Sequence, residues 1–480
     1  MMKDSDPGQS RRSYLKRAAL ASTVGMAGLA GCTGGGGGDD NGSGGNGSGG
    51  GNASSGSGSS GNGSGGNGSS SNGSSSGGSS GSLTVLHGWT GGDGATALEN
   101  LVEGFEEANP DVSANFQAIG GGGNTNLDTT ISNRAQNENL PTSWADWPGL
   151  NLVPFTEAGL LADVGENVWT DDLRNNYSQE AKTYSQVGEE AGSIGSGPYV
   201  AVPIGSHRMN DLFYNVSVVE EAGVDPTSFS EPADLLAAMK TVEEETDAVG
   251  MAQGLQAPFT TLQLWEVVMQ GQAGYQPFMD YINGEGDEQA VRSAFEMVNN
   301  YFDHINQNAS SVGFTQANQL IMNGEAAFMH QGNWVAGAYR NQEGFEYESD
   351  WNNVSFPGTD DMYGLHLDSF PMAASAGDSG AAQAWLSYVG TPDAQVRFNQ
   401  FKGSIPPRTD VPTDEFDPYL TQTIEDYNNV SNKPPTIAHG LAVLPDVHSE
   451  IDGVITDSFL GSGDLDAATQ GMLDAVSGSN

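Results

Sequence analysis

The chain has 480 residues, with 61 Asp and Glu against 16 Lys and Arg and a formal net charge of −45. So acidic a surface repels nucleic acid and anionic lipid, because phosphate recognition needs clustered Lys and Arg; its self-repulsion points to work in concentrated salt, where screening lengths shrink. A single cysteine, Cys32, excludes an intrachain disulfide and a thiolate metal cluster.

The first elements in chain order are addresses and a tether. Gln9-Ser10-Arg11-Arg12-Ser13-Tyr14-Leu15-Lys16 sets two arginines before an aromatic and a leucine, and the small, apolar run Ala18 to Ala30 follows. This has the form of a twin-arginine export signal, and the run is too short and too rich in Gly and Ala for a membrane span. It ends in Leu29-Ala30-Gly31-Cys32, which resembles a lipobox. There the cysteine sulfur takes a diacylglyceryl group and becomes the new N-terminus, and two acyl chains suffice for stable anchoring. Without the five bases and two acids that precede Cys32, 11 bases face 59 acids, a net charge of −48. Residues 33–82 are almost wholly Gly, Ser and Asn. With nothing to bury they form a solvated tether whose r.m.s. span is roughly 40 Å. Its Asn-Gly-Ser triplets, as at Asn41 and Asn46, are glycosylation acceptors by pattern.

From Leu83 the pattern changes to alternating strands and helices. Leu83-Thr84-Val85-Leu86-His87 reads as a strand that runs into Gly88-Trp89-Thr90-Gly91-Gly92-Asp93-Gly94. Leu98, Leu101, Val102 and Phe105 fall at i, i+3, i+4 and i+7, predicting a helix that Asn109-Pro110 terminates before a strand over Val112 to Phe116. Ligands sit at the carboxyl ends of strands in such βαβ units, which is where Trp89 and Asp93 stand. Further on, Tyr199 to Pro203 and Leu212 to Asn215 read as two strands flanking Ser206-His207-Arg208. A helix ends at Gly223, and another carries Leu235, Leu236, Met239 and Val242 with Pro232 near its first turn. Gln316 to Asn323 is helical, Ala326 to Met329 is a strand, and Gly332-Asn333-Trp334 turns into a helix. No Gly-x-x-x-x-Gly-Lys-Ser/Thr occurs, so nucleotide hydrolysis belongs to another chain.

Four segments, in order, then resemble the solute-binding proteins of ABC sugar importers, in the glucose and mannose branch related to maltose-binding proteins. They are Trp89 to Gly94 with Phe105-Glu106-Glu107-Ala108-Asn109-Pro110; Val202-Pro203-Ile204 to His207-Arg208 with Phe213-Tyr214-Asn215; Asn323-Gly324-Glu325-Ala326-Ala327-Phe328 with Gly332-Asn333-Trp334; and Leu367-Asp368-Ser369-Phe370 with Phe401-Lys402-Gly403-Ser404-Ile405 and His439-Gly440. The resemblance implies an α/β fold of the periplasmic-binding-protein type, two lobes joined by hinge crossovers. It divides the chain into a signal with lipobox (1–32), a disordered tether (33–82), lobe 1 (83–200 plus 361–405) and lobe 2 (201–360 plus 406–480). It implies a monomer without cofactor that captures a sugar, a monosaccharide such as glucose or mannose, outside the cell. The lipid-anchored protein would deliver the sugar to ABC permease subunits served by separate ATPases.

A pyranose offers C–H faces to aromatic rings and a rim of hydroxyls to paired donors and acceptors. By position the resemblance assigns Trp89, Trp147, Phe314 and Trp334 to the faces, and Asp93, Asp368, Lys402 and His439 to the hydroxyls. His207 and Arg208 are hinge or ligand. Trp147 and Phe314 depart from the family pattern, which carries a histidine and a tryptophan there, and this leaves the particular sugar open. Bland readings stand beside these. Trp169, Trp385 and Trp265 suit burial in the core, and Asp368 could cap a helix. His304, His330, His366 and His448 show no ligand spacing in the sequence, so no metal site is expected. Two rival functions are a secreted, lipid-anchored carbohydrate hydrolase and a surface sugar sensor. No Gly-x-Ser-x-Gly outside the tether and no His-Glu-x-x-His supports the former.

Overall fold

The computed structural model describes residues 82–121, 124–188 and 194–477, so the export signal, Cys32 and the tether lie outside the described residues. The first sheet is parallel, in the order β2-β1-β3, with β1 Leu83–His87 between β2 Ala114–Ala118 and β3 Ser143–Trp144. β1 is nearly all buried, as expected of a central parallel strand covered on both faces. Helix α1, Gly92–Ala108, connects β1 to β2 and buries Leu98, Leu101 and Phe105 against them. It stops at Asn109, whose N–H bonds the Phe105 carbonyl, because the following proline has no donor with which to continue. Helix α2, Thr125–Gln136, follows β2.

A two-stranded antiparallel ribbon runs through the middle of the molecule. β4 Ala201–Arg208 and β9 Leu365–Pro371 are buried along their whole lengths, from Ala201 opposite Pro371 to Arg208 opposite Leu365. Their register shifts between Pro203 and Gly205, where proline cannot donate to the ladder. One sequence expectation is corrected here: Ser206-His207-Arg208 do not lie between two strands but form the end of β4 itself. Their polarity suggests a connection; what permits burial is the ladder to Leu367, His366 and Leu365 and a bonding partner for the side chains of His207 and Arg208. Asp368 likewise lies inside β9 and caps no helix.

The second sheet has the order β6-β7-β5-β8. β5 Asp211–Asn215 pairs antiparallel with β7 Ala326–His330 and β8 Trp351–Ser355, and β6 Val249–Met251 runs parallel to β7. Helices Pro232–Glu245, α3 Pro258–Ala273, Glu288–Phe302 and Leu465–Ser477 gather around a second core in which Trp265 meets Tyr281 edge-on and packs against Phe295. Three more helices matter for the site: α4 Phe314–Met322, α5 Trp334–Arg340 and α7 Pro392–Lys402, the last preceded by α6 Gly380–Val389. Trp385 of α6 sits edge-on to Phe105 and Phe370 in the first core, and Trp169 is buried beside Tyr177. No helix among the described residues is long and apolar enough to cross a membrane.

Candidate functional site

The carboxyl end of β1, the ribbon and the helix starts on the second sheet's side line a half-open cavity of about 290 Å³. Trp89 follows β1 and packs against Phe370 and Phe398, leaving it half-buried at the cavity wall. Gly94 follows from this placement, since a Cβ there would come 2.7 Å from the Trp89 Cβ. On the far side, Phe314 and Trp334 are the first residues of α4 and α5, with ring centroids 6.4 Å apart. Helix starts are suited to this work, for an N1 side chain stands at the rim of its element and projects past it. Trp147 and Phe259, the latter in the first turn of α3, are nearly parallel at 11° with centroids 6.5 Å apart, and His439 stands edge-on to both.

The polar floor comes from strand periodicity. His366 and Asp368 are two apart in β9 and so face the same side, and His207 is the cross-strand partner of His366. The two imidazoles stack at 5.4 Å and 14°, and His366 stacks again on His439 at 3.9 Å. Asp368 accepts from His207 Nε2 at 3.1 Å and lies 3.4 Å from His366 Nε2. A carboxylate only accepts, so each Nε2 carries the proton. The other ring nitrogen of His207, Nδ1, lies 2.6 Å from Asn333 Oδ1. Burial works against charge on Asp368, but the imidazole hydrogen bonds and the Lys402 ammonium hold it well below the usual carboxylate range. Burial pushes His366 down to about 4, and pushes His439 well below its ordinary value with help from His366 and His207. Around neutrality the floor is therefore one carboxylate, one ammonium and imidazoles held neutral at His366 and His439.

Lys402 ends α7, and Gly403 beyond it has φ +84°. A Cβ at Gly403 would lie 2.5 Å from the Asn333 carbonyl, so only glycine lets this helix end touch the start of α5. That contact sets the Lys402 ammonium 5.9 Å from the Trp334 ring. His439 is held by the turn before it. Glu266, on α3, accepts from the Ile437 and Ala438 N–H groups at 2.6 and 2.9 Å, and burial raises its carboxyl to about 8. A raised carboxyl favours the fold fully below its unfolded value of about 4.3 and loses that favour as pH climbs through about 8. Glu266→Gln keeps the accepting oxygen and removes the titration. Its Tm advantage over the parent protein is expected to grow from near zero at pH 4.5 to roughly 2–5 °C at pH 8 in scanning calorimetry.

Of the residues singled out in the sequence, the cavity gathers Trp89, Trp147, Phe314, Trp334, Asp368, Lys402, His439 and His207. The side chain of Asp93 lies outside the described residues. Arg208 turns the other way, to Asp426 at 2.7 Å and Asp211 at 3.4 Å. The sequence reading missed His366, Phe259 and Asn318, which also line the cavity. Contrary to the expectation from histidine spacing, ligand atoms of His207, His366 and Asp368 come within 4.8 Å of one another, a spacing a cation could use. Lys402, lining the same cavity, opposes a second positive charge there.

Residues 100–427 match the family described as bacterial extracellular solute-binding protein. Over 476 residues the chain is 42% identical to the xylose/arabinose-binding protein XacG of Haloferax volcanii, covering 98% of each chain. It is 28% identical over 397 residues to an uncharacterized ABC transporter extracellular-binding protein of Pyrococcus horikoshii, covering 82% of this chain and 87% of the relative. Among solved structures, a chitin oligosaccharide binding protein superposes with a TM-score of 0.71 at 16% identity, over 84% of this chain and 99% of that one. At that identity the likeness speaks to the two-lobed fold alone.

Proposed function

The chain belongs to the bacterial extracellular solute-binding proteins, and on that footing we propose that it captures one pyranose ring between its lobes and hands it to an ABC permease. The observation that carries this reading is the convergence, in one half-open cleft, of aromatic faces with Asp368, Lys402 and the histidines. At about 290 Å³ the space sits at the lower edge of the ~300–1,000 Å³ usual for small-molecule sites, which favours a single ring over an oligosaccharide. XacG is named for xylose and arabinose, so aldopentoses stand beside glucose and mannose as candidates. Glycoside hydrolysis needs a pair of carboxyl groups, and among the described residues Asp368 is the one acid that lines the cavity.

In this reading the β4–β9 ribbon is the hinge, sugar binding shifts an open–closed equilibrium toward closure, and the closed form docks on the permease. Export by the twin-arginine route and lipidation at Cys32 would tether the protein outside the membrane. Isothermal titration of the protein from residue 82 onward, in molar salt, tests the capture step. At least one of D-xylose, L-arabinose, D-glucose and D-mannose is expected to bind, and maltose to bind more weakly. Binding of maltose ahead of every monosaccharide, or of no sugar at all, refutes the single-ring reading.

A further inference from the structure

Asn318 lies one helical turn beyond Phe314 on the cavity-facing side of α4 and is only 3% exposed. Its side chain makes no hydrogen bond to any described residue, and Oδ1 is buried without a partner. An amide so placed costs stability, because water is lost from the group and nothing replaces it. The Trp334 indole N–H, lining the same cavity, is also buried and unpartnered, as is His366 Nδ1, which must be an acceptor because Nε2 faces Asp368. Two acceptors and a donor without partners thus surround one cavity, on α4, α5 and β9.

We propose that Asn318 is a specificity-determining residue, whose amide reads the hydroxyls that Asp368 and Lys402 do not take. The inference rests on the sugar-capture reading and goes further by naming the group that chooses among sugars. A primary amide offers a donor and an acceptor side by side, the pattern that two neighbouring hydroxyls present in return. Inverting one of those hydroxyls breaks half of the match and leaves an amide atom buried and unpaired, the costly outcome in polar recognition. Asn318 therefore discriminates between epimers, while the rings of Trp147, Phe259 and Trp334 accept any pyranose of suitable width.

The test is Asn318→Leu, nearly isosteric and without polar atoms, beside Asn318→Ala in case leucine packs poorly. D-Xylose, L-arabinose, D-lyxose, D-glucose and D-mannose are titrated into parent and variants, and Tm is recorded without sugar. The parent is expected to prefer one sugar over its epimer by tenfold or more. In Asn318→Leu the preferred sugar should lose roughly 10- to 100-fold in affinity and most of its preference. Tm without sugar should stay level or rise, because an unsatisfied amide has gone; a residue that merely supports the fold would lower it. Unchanged affinity and preference in both variants overturns the role of Asn318 while the capture reading stands. A Tm that falls along with affinity in both overturns it too, and a parent that binds none of the five sugars removes the inference together with the reading beneath it.

Discussion

Trp334→Ala is expected to weaken sugar binding by roughly 10- to 100-fold while the secondary structure stays intact by circular dichroism. The indole is 8% exposed, and its neighbours show what it is for. His207 and His439 stand edge-on to it at 5.5 Å, Phe314 at 6.4 Å, and the Lys402 ammonium lies 5.9 Å from the ring. Alanine would remove a face for the sugar's C–H groups, a hydrogen-bond donor without another use, and the ring beside which Lys402 is held. Aromatic faces are worth about 0.5–1.5 kcal/mol beyond their area, so the loss exceeds that of a single hydrogen bond. The ring stands at the start of a short helix, and truncation there enlarges an existing cavity instead of opening one in the core. Affinity should thus suffer more than stability. An unchanged dissociation constant in calorimetry would remove Trp334 from the site.

Why that residue could be found in the sequence is itself physical. Gly332-Asn333-Trp334 is distinctive because each member is constrained. A Cβ on Gly332 would lie 2.2 Å from the Trp334 ring, and Asn333 bonds His207. The βαβ start was legible from apolar spacing and a proline stop, and Lys402 from the scarcity of bases in so acidic a chain. Other residues left no linear trace. His366 meets His207 only through the register of two strands 159 residues apart, which one sequence does not state. Phe259 and Asn318 look like ordinary members of helices until α3 and α4 are set around a common space, although Asn318 stands four residues after Phe314 and shares its face. His207 and Arg208 are adjacent in sequence, yet neighbours in a strand point to opposite sides. That rule alone predicts that only one of them reaches the cavity, but it applies only once Ser206-His207-Arg208 is recognised as strand.

Arg208 belongs to the framework, and its removal should be among the most destabilising single changes in the chain. The guanidinium is 3% exposed and lies 3.4 Å from Asp211, itself fully buried. It reaches Asp426 at 2.7 Å and Ser355 at 2.8 Å, and packs near the Tyr363 ring. These partners join the end of the ribbon, strands β5 and β8 of the second sheet and the helix Pro418–Asn429. Burial already raises Asp211 to about 6 despite the nearby charge of Arg208. Arg208→Met fills much of the same volume but leaves that carboxylate buried without its cation, a change that costs about 3–5 kcal/mol in comparable pairs. The sign of the pH dependence follows. A carboxyl raised in the folded state favours folding below its unfolded value near 3.9 and loses that favour as pH rises through its folded value, which the substitution pushes higher still. The deficit of Arg208→Met should therefore be largest near pH 8 and shrink by pH 5, as read from Tm in scanning calorimetry. Molar salt should not erase it, because buried charges are poorly screened. Sugar affinity at a temperature where the variant is folded should stay within a few-fold of the parent. A large loss of affinity with Tm unchanged would instead make Arg208 a ligand and overturn its assignment to the frame.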